Sequence, residues 1–282
     1  MSPVAPPVSI CIPVYNGEHF LAATIESILR QDDGDVEVIV SDNASTDGTG
    51  DVVRRYTDPR IRYCRSEHNV GPVGNFNRCL DLATGTYTKI VCADDILYPD
   101  CVRRQRAILD ADRDESIALV TCERDIIDDR GRVRLRPRVP DLSGRISAAE
   151  IMPRTVRSGT NLMYEPMAAM FRTATARRAG AFNPAHGFCL DMDFYFRMLQ
   201  FGVLYRETEA RCAFRVSTES WSSNIARTQH LEFIRFIEDF NRGGWTKLDP
   251  DAMREGAARA RRLSRMRRVF YAWLKLTRCF GY

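Results

Sequence analysis

Three short stretches concentrate acids and amides just past apolar runs: Pro13-Val14-Tyr15-Asn16-Gly17-Glu18, Ser41-Asp42-Asn43-Ala44-Ser45-Thr46-Asp47-Gly48 and Ala93-Asp94-Asp95. The third demands the most explanation. Its adjacent carboxylates follow Lys89-Ile90-Val91-Cys92 and repel one another unless a cation or a set of donors compensates them. A hard divalent ion, Mg2+ or Mn2+, would do so, because it takes carboxylate oxygens and keeps positions open for phosphate oxygens. A nucleotide diphosphate suits such an ion. Taken alone, Asp42 to Gly48 is turn and cap chemistry of the kind Asp, Asn, Ser and Gly supply after any strand.

These loops need a frame to bring them together. Val8 to Val14 is short and β-rich, and after it Phe20, Leu21, Thr24, Ile25, Ile28 and Leu29 recur at helical spacing. The alternation continues with strands over Val36–Val40, Ile61–Cys64, Thr88–Ala93 and Ile117–Cys122, and helices over Gly48–Tyr56, Val73–Leu82 and Asp100–Asp112. Such alternation predicts an α/β fold with a Rossmann-like, mostly parallel central sheet flanked by helices. Open sheets of this kind bind ligands outside the carboxyl ends of their strands, so the three loops should meet in one crevice. Beyond residue 122 the pattern loosens: Asp128-Asp129-Arg130-Gly131 reads as a turn, Arg132–Arg145 is basic and broken by proline, and Ser147–Met152 begins a short helix. A helix over Asp191–Phe201, a strand over Cys212–Val216 and a helical tail after Asn224 complete the reading.

The 282 residues, 44% hydrophobic and 28% charged, have the composition of an ordinary globular chain. Nine cysteines are spread singly with no CxxC pair, and the four histidines stand far apart. That usage indicates a reducing, cytoplasmic setting and speaks against a zinc module. Met1 to Pro7 lacks the basic start and apolar run of a signal peptide, and no apolar run approaches the length of a spanning helix.

The ordered set of segments resembles family 2 glycosyltransferases of the GT-A fold. The resemblance rests on Val8 to Asn16, on Val38 to Thr49, on Asn69-Val70-Gly71 with Asn77, Gly85 and Tyr87, and on Leu190-Asp191-Met192-Asp193-Phe194-Tyr195-Phe196-Arg197. It implies a GT-A domain over residues 1–223, with a nucleotide-binding half at about 8–122 and an acceptor-side half at about 123–223, followed by a helical extension over 224–282. It implies that Pro13, Tyr15, Glu18 and Asn77 belong to the nucleotide-sugar pocket, that Asp42 hydrogen-bonds the base, that Asp94 meets the ribose or diphosphate, and that Asp95 binds Mg2+ or Mn2+. Cys92 stands where the family's stretch usually has a further acid, and Leu190 where it commonly has Glu. Asp191 matches the family's catalytic base, with Asp193 as its competitor; residues two apart on a helix do not share a face, so one of them should enter the cleft. The implied reaction is inverting transfer of a sugar from a nucleotide-diphosphate sugar to an acceptor hydroxyl, with no covalent intermediate. Ser217 stands about where the segment Phe214 to Ser222 often carries a His, and the QxxRW of processive synthases is missing, which favours single-sugar transfer.

The net charge of +4 is concentrated in the tail, where Arg259, Arg261, Arg262, Arg265, Arg267, Arg268 and Lys275 face a lone Glu255 between Arg254 and Arg278. Leu263, Met266, Val269, Phe270, Trp273, Leu274 and Leu276 fall near helical spacing among them. This fits an interfacial helix on a membrane surface, near a lipid-linked acceptor, and equally a helix packed on the domain with its arginines in water. The acidic loops argue against a nucleic-acid partner. A nucleotidyltransferase would use the same paired carboxylates, but its Gly-rich basic phosphate loop is missing; a non-catalytic nucleotide-sugar binder is compatible with the same motifs. The expected acceptor is a carbohydrate or lipid-linked sugar in cell-surface polysaccharide or glycolipid synthesis.

Overall fold

The computed structural model describes residues 7–217, 228–244 and 247–279, with side chains to residue 269. Strand β1 (Val8–Val14) is buried along its whole length, and its alternation sends Ile10 and Ile12 to one face and Cys11 to the other. Both faces are covered by helices, which is why this strand reads as a continuous apolar run.

The remaining elements follow in chain order: α1 (Leu21–Leu29), β2 (Val36–Asp42), α2 (Thr49–Arg54), β3 (Ile61–Arg65), α3 (Gly71–Leu82), β4 (Tyr87–Ile90), β5 (Ile96–Leu97), α4 (Cys101–Ala111), β6 (Ile117–Ile127), β7 (Val133–Leu135), β8 (Gly144–Ile146), α5 (Ala148–Ser158), β9 (Ala169–Arg172), α6 (Thr173–Ala179), α7 (Leu190–Met198), β10 (Val203–Arg215), α8 (Gln229–Arg242) and α9 (Pro250–Cys279). Among the described residues they form one ten-stranded sheet in the order β3-β2-β1-β4-β9-β6-β10-β5, with β7 on β6 and β8 on β10. β3, β2, β1 and β4 run parallel, as do β6 and β10. β9 lies antiparallel between β4 and β6 and joins the two halves.

Three elements differ from the sequence expectation. β6 continues past Cys122 through Glu123, Arg124 and Asp125, and β10 starts at Val203 rather than Cys212. The charged residues that hide these extensions are paired across the sheet: Arg206 reaches Glu123 at 2.8 Å, with both side chains buried. Helix α5 carries Pro153 in its interior, and burial of Ile151, Met152, Thr155 and Val156 compensates for the hydrogen bond that the proline removes.

The tail is part of the core. Phe233, Phe236, Ile237 and Phe240 of α8 join the cluster containing Phe194 and Phe196 of α7. α9 meets α5 and the glycine that follows it at Gly256 and Ala260, within a stripe, Ala252, Gly256, Ala260 and Ser264, that is buried at a spacing of four residues. The large apolar residues that the periodicity singles out do otherwise, with Met266 58% and Val269 71% exposed. The expected boundary at residues 223 and 224, the segment Ser220 to Ser222, and the side chains of Phe270, Trp273, Leu274 and Leu276 lie outside the described residues.

Small residues are needed here because the helix backbones nearly touch. A Cβ on Gly256 would lie 2.0 Å from the Val156 carbonyl oxygen, and one on Gly159 2.6 Å from the Ala260 nitrogen. Alanine normally stabilises a helix over glycine by about 1 kcal/mol, but this overlap is with backbone and forces the helices apart. Gly256→Ala should therefore lower stability by about 1 to 3 kcal/mol in urea unfolding; a gain would show that the close approach is wrong.

Candidate active site

The loops at the carboxyl ends of β1, β2 and β4 open into a single cleft of about 730 Å³. Pro13, Tyr15, Asn43, Asp94 and Asp95 line it from the amino-terminal half; Arg124, Asn161, Glu165, Asp191 and Arg267 line it from the rest of the chain. The first two loops are laced together. The Asn16 amide donates to Ser45 Oγ at 2.9 Å, the Gly17 amide to Thr49 Oγ1 at 2.8 Å, and the Thr46 amide to Asn16 Oδ1 at 2.8 Å. This fixes a wall of backbone beside Tyr15, itself half exposed in the cleft.

Asp95 sits at its floor, fully buried. Its Oδ1 accepts from the Arg215 amide at 3.0 Å, while its Oδ2 has no protein partner although buried. Burial above all, and then the Asp94 charge, push its carboxyl well above the usual range; burial also raises Asp94. The nearest guanidinium is committed to other groups. Arg215 donates to the carbonyl oxygens of Asp94 (2.8 Å), Asp128 (2.7 Å) and Asp129 (3.1 Å) and lies 4.6 Å from the Phe20 ring centre. Among the described residues no cluster of three or more His, Cys, Asp or Glu is arranged to enclose a metal ion. The chemistry of the donors nonetheless fits Mg2+ or Mn2+ bound together with a diphosphate, since such ions are commonly held by one or two carboxylates with phosphate oxygens completing the shell.

Of the two acids at the start of α7, only Asp191 lines the cleft. Its Oδ2 accepts from Asn161 Nδ2 at 3.2 Å and its Oδ1 from the Met192 amide at 2.7 Å. Burial, and secondarily the charge of Glu165, raise its carboxyl to about 7. Asp193 is turned to Arg197, with a 2.7 Å ion pair.

The structure gathers Pro13, Tyr15, Asp94, Asp95 and Asp191, but three other expected residues are engaged elsewhere. Asp42 is fully buried, and its carboxylate accepts from the Ser45 amide at 2.8 Å, Arg65 Nη1 at 3.1 Å and the Tyr63 hydroxyl. Glu18 Oε2 accepts from the Gly48 amide at 2.8 Å, ahead of α2. Asn77 spends both ends of its amide on the Phe182 backbone, at 2.6 and 3.1 Å. None of the three lines the cleft, so Glu18 and Asn77 brace its walls, and Asp42 supports the loop behind Asn43.

Sequence reasoning missed Asn161, Tyr164, Glu165 and Arg124. Tyr164 is buried with a φ of 69°, rare for an aromatic residue and costing about 1 to 3 kcal/mol. Its hydroxyl donates to Glu123 Oε2 at 2.6 Å, and the guanidinium carbons of Arg124 and Arg206 lie 4.2 and 4.7 Å from its ring centre. Glu165, next in line, pairs with Arg124. The available signal was the charged Glu123-Arg124-Asp125 continuing an apolar strand.

The model of the family described as glycosyl transferase family 2 matches residues 9–178. The chain belongs to that family. An uncharacterized protein of Mycobacterium tuberculosis is 30% identical over 208 residues, 71% of this chain and 64% of its own length. Abequosyltransferase RfbV of Salmonella typhimurium is 38% identical over 113 residues, 38% of this chain and 34% of its own. The UDP-Glc:alpha-D-GlcNAc-diphosphoundecaprenol beta-1,3-glucosyltransferase WfgD of Escherichia coli is 37% identical over 102 residues, 36% of this chain and 40% of its own. The chain thus spans less than two thirds of each of these relatives. Among solved structures, S. aureus TarS 1-349 in complex with UDP-GlcNAc has a TM-score of 0.65 at 17% identity, covering 90% of this chain and 71% of that one. Mannosyltransferase PcManGT of Pyrobaculum calidifontis, in complex with GDP-Man and Mn2+, gives 0.61 at 19%, covering 99% and 77%. This member of family 2 accordingly has the GT-A fold.

The raised carboxyl of Asp191 has a consequence for stability. Between the ordinary carboxylate range and about 7 the folded chain holds a proton that the unfolded chain releases, so this group's contribution falls as pH rises through that window and its penalty is complete above it. Asp191→Asn removes the penalty. The variant should gain on the order of 1 kcal/mol over the unsubstituted chain at pH 8 and little at pH 4 in urea unfolding; an equal effect at both pH values would refute the burial argument.

Proposed function

We propose that the protein is a metal-dependent, inverting and non-processive glycosyltransferase that moves one sugar from a nucleotide-diphosphate sugar to the hydroxyl of a carbohydrate or lipid-linked acceptor. One observation carries this reading: a buried, unpartnered Asp95 carboxylate oxygen shares a cleft with the raised Asp191 carboxyl. Complexes of structural neighbours with UDP-GlcNAc and with GDP-Man and Mn2+ support the donor class, and WfgD, by its name, transfers to a diphosphoundecaprenol-linked sugar.

Asp191 accepts the proton of the acceptor hydroxyl as that oxygen attacks the anomeric carbon, and Asn161 and the Met192 amide hold the carboxylate in place. A base whose pKa lies near the working pH is best suited to this, contributing about 10²- to 10⁴-fold. Asp95 would hold the divalent ion, with the Arg215 amide fixing that carboxylate, and Asp94 would meet the ribose or diphosphate beside it. When bound, the ion supplies charge stabilisation to the departing diphosphate. Tyr15 and the Pro13 backbone form the nucleotide wall.

The setting we infer is the cytoplasm, where Cys122 and Cys212, with Sγ atoms 3.8 Å apart, remain reduced. Among the described residues no helix is long and apolar enough to cross a membrane. α9 instead presents Met266 and Val269 beside exposed Arg261, Arg262, Arg265 and Arg268, a pattern suited to the surface of an anionic bilayer. The full chain should co-sediment with phosphatidylglycerol-containing vesicles, less with phosphatidylcholine alone, and Met266→Asp with Val269→Asp should weaken it. Binding that ignores both changes would exclude this face.

The donor is tested by thermal stabilisation across UDP-, GDP-, dTDP- and CDP-sugars with and without Mn2+ or Mg2+, beside Asp95→Ala. One nucleotide should raise the melting temperature only with metal, and the variant should lose the effect. The product should carry one added sugar of inverted anomeric configuration by NMR. No shift with any nucleotide would sink the donor reading, and retention or a ladder of products would sink the mechanism.

A further inference from the structure

Arg267 belongs to the carboxyl-terminal helix, yet it lines the same cleft as Asp191. The packing of α9 explains how. The buried stripe Ala252, Gly256, Ala260 and Ser264 locks the helix against α5, and Arg267 follows three residues after Ser264, on nearly the same face. Its Nη1 donates to Gln229 Oε1 at 3.0 Å and its Nη2 to Thr160 Oγ1 at 3.2 Å, while its guanidinium carbon lies 5.7 Å from the Phe188 ring centre. Three segments therefore fix the plane of this cation.

Thr160 is followed directly by Asn161, which holds Asp191. Arg267 and Asp191 are thus anchored to neighbouring residues of one loop, on the α7 side of the cleft rather than at the β4 end where Asp94 and Asp95 stand. Arg267 also counteracts the burial that raises the Cys189 thiol, two residues before Asp191, so its charge acts on this wall. A planar guanidinium of fixed orientation is the side chain best matched to a phosphate group, which it meets with paired hydrogen bonds.

We propose that Arg267 is a specificity-determining residue that binds a phosphate or diphosphate on the acceptor, next to the sugar whose hydroxyl faces Asp191. This rests on the transferase reading above. The anion comes either from a prenyl diphosphate-linked sugar or from a free sugar phosphate, and both present the same oxygens to the guanidinium.

The test uses the full chain and titration calorimetry in EDTA with two probes, farnesyl diphosphate and N-acetylglucosamine 1-phosphate, and separately with the nucleoside diphosphates in Mn2+. Arg267→Gln should weaken at least one probe about tenfold, and Arg267→Lys, which keeps the charge but not the fork, about threefold. Nucleotide affinity should be unchanged in both variants and lost in Asp95→Ala. Tighter binding of farnesyl diphosphate assigns a lipid-linked acceptor, and tighter binding of the sugar phosphate a soluble one. The proposal is overturned if neither probe binds, if both bind Arg267→Gln as they bind the unsubstituted chain, or if nucleotide affinity falls with Arg267→Gln, which would move the residue to the donor. Should Arg267→Gln fail to fold, equal probe affinity in Arg267→Lys and the unsubstituted chain overturns it instead. A chain that binds a probe through Arg267 but binds no nucleotide would keep the phosphate site and refute the transferase reading.

Discussion

The wall of the cleft opposite the β1 and β2 loops hangs on a buried ion pair, Arg206 with Glu123 at 2.8 Å. Taking both charges out of water costs several kcal/mol per ion unless each is further hydrogen-bonded, and here each is. Arg206 also donates to the Leu162 carbonyl oxygen at 2.6 Å, and Glu123 also accepts from the Tyr164 hydroxyl at 2.6 Å. The pair thereby ties β6, β10 and the loop before β9 into one unit. The strained backbone of Tyr164 is held by this network, and the residue after it, Glu165, is delivered to the cleft where its charge helps raise Asp191. A substitution deep between two strands would therefore reach the chemistry through a chain of contacts rather than by proximity.

This dependence explains which parts were legible in the sequence. β1, β2 and β4 are short apolar runs followed by acidic loops, and the physics that forms them is local: period, turn residues and burial on both faces. Asp94 and Asp95 stand out in one dimension as adjacent carboxylates, whereas Asp191 was reached through the family resemblance of Leu190 to Arg197; all three line the cleft. β9 has four residues, and nothing local tells a four-residue strand between two others from a loop. Glu123 and Arg206 are separated by 83 residues, so each alone looks like a reason to end a strand. Their pairing is visible only in three dimensions.

Glu18, Asp42 and Asn77 are engaged differently. Their types suit a nucleotide pocket, yet their hydrogen bonds are consumed in building it: Glu18 ahead of α2, Asp42 in its own turn and with Tyr63 and Arg65, Asn77 on the Phe182 backbone. Likewise, the apolar periodicity of the tail left open whether Met266 and Val269 face the domain or a membrane surface; they are exposed, and the buried stripe is glycine, alanine and serine. Hydrophobicity predicts burial only where side chains do the filling. Where two helix backbones approach until a Cβ would meet a carbonyl oxygen, the smallest residues face inward and the larger ones are left outside.

The charges of the cleft are then divided by element. The β4 end brings Asp94 and Asp95, with the Arg215 guanidinium bound to carbonyl oxygens, so an anionic diphosphate is repelled there unless it arrives with a cation. The α7 side brings a carboxyl poised near neutrality together with the guanidinium of Arg267. On the readings proposed above, a phosphate-bearing molecule meets opposite electrostatics on the two sides: one would accept it only with a metal ion, the other without. If the chain is the transferase proposed above, that division would keep a nucleotide donor and a phosphorylated acceptor from exchanging places in a single open cleft.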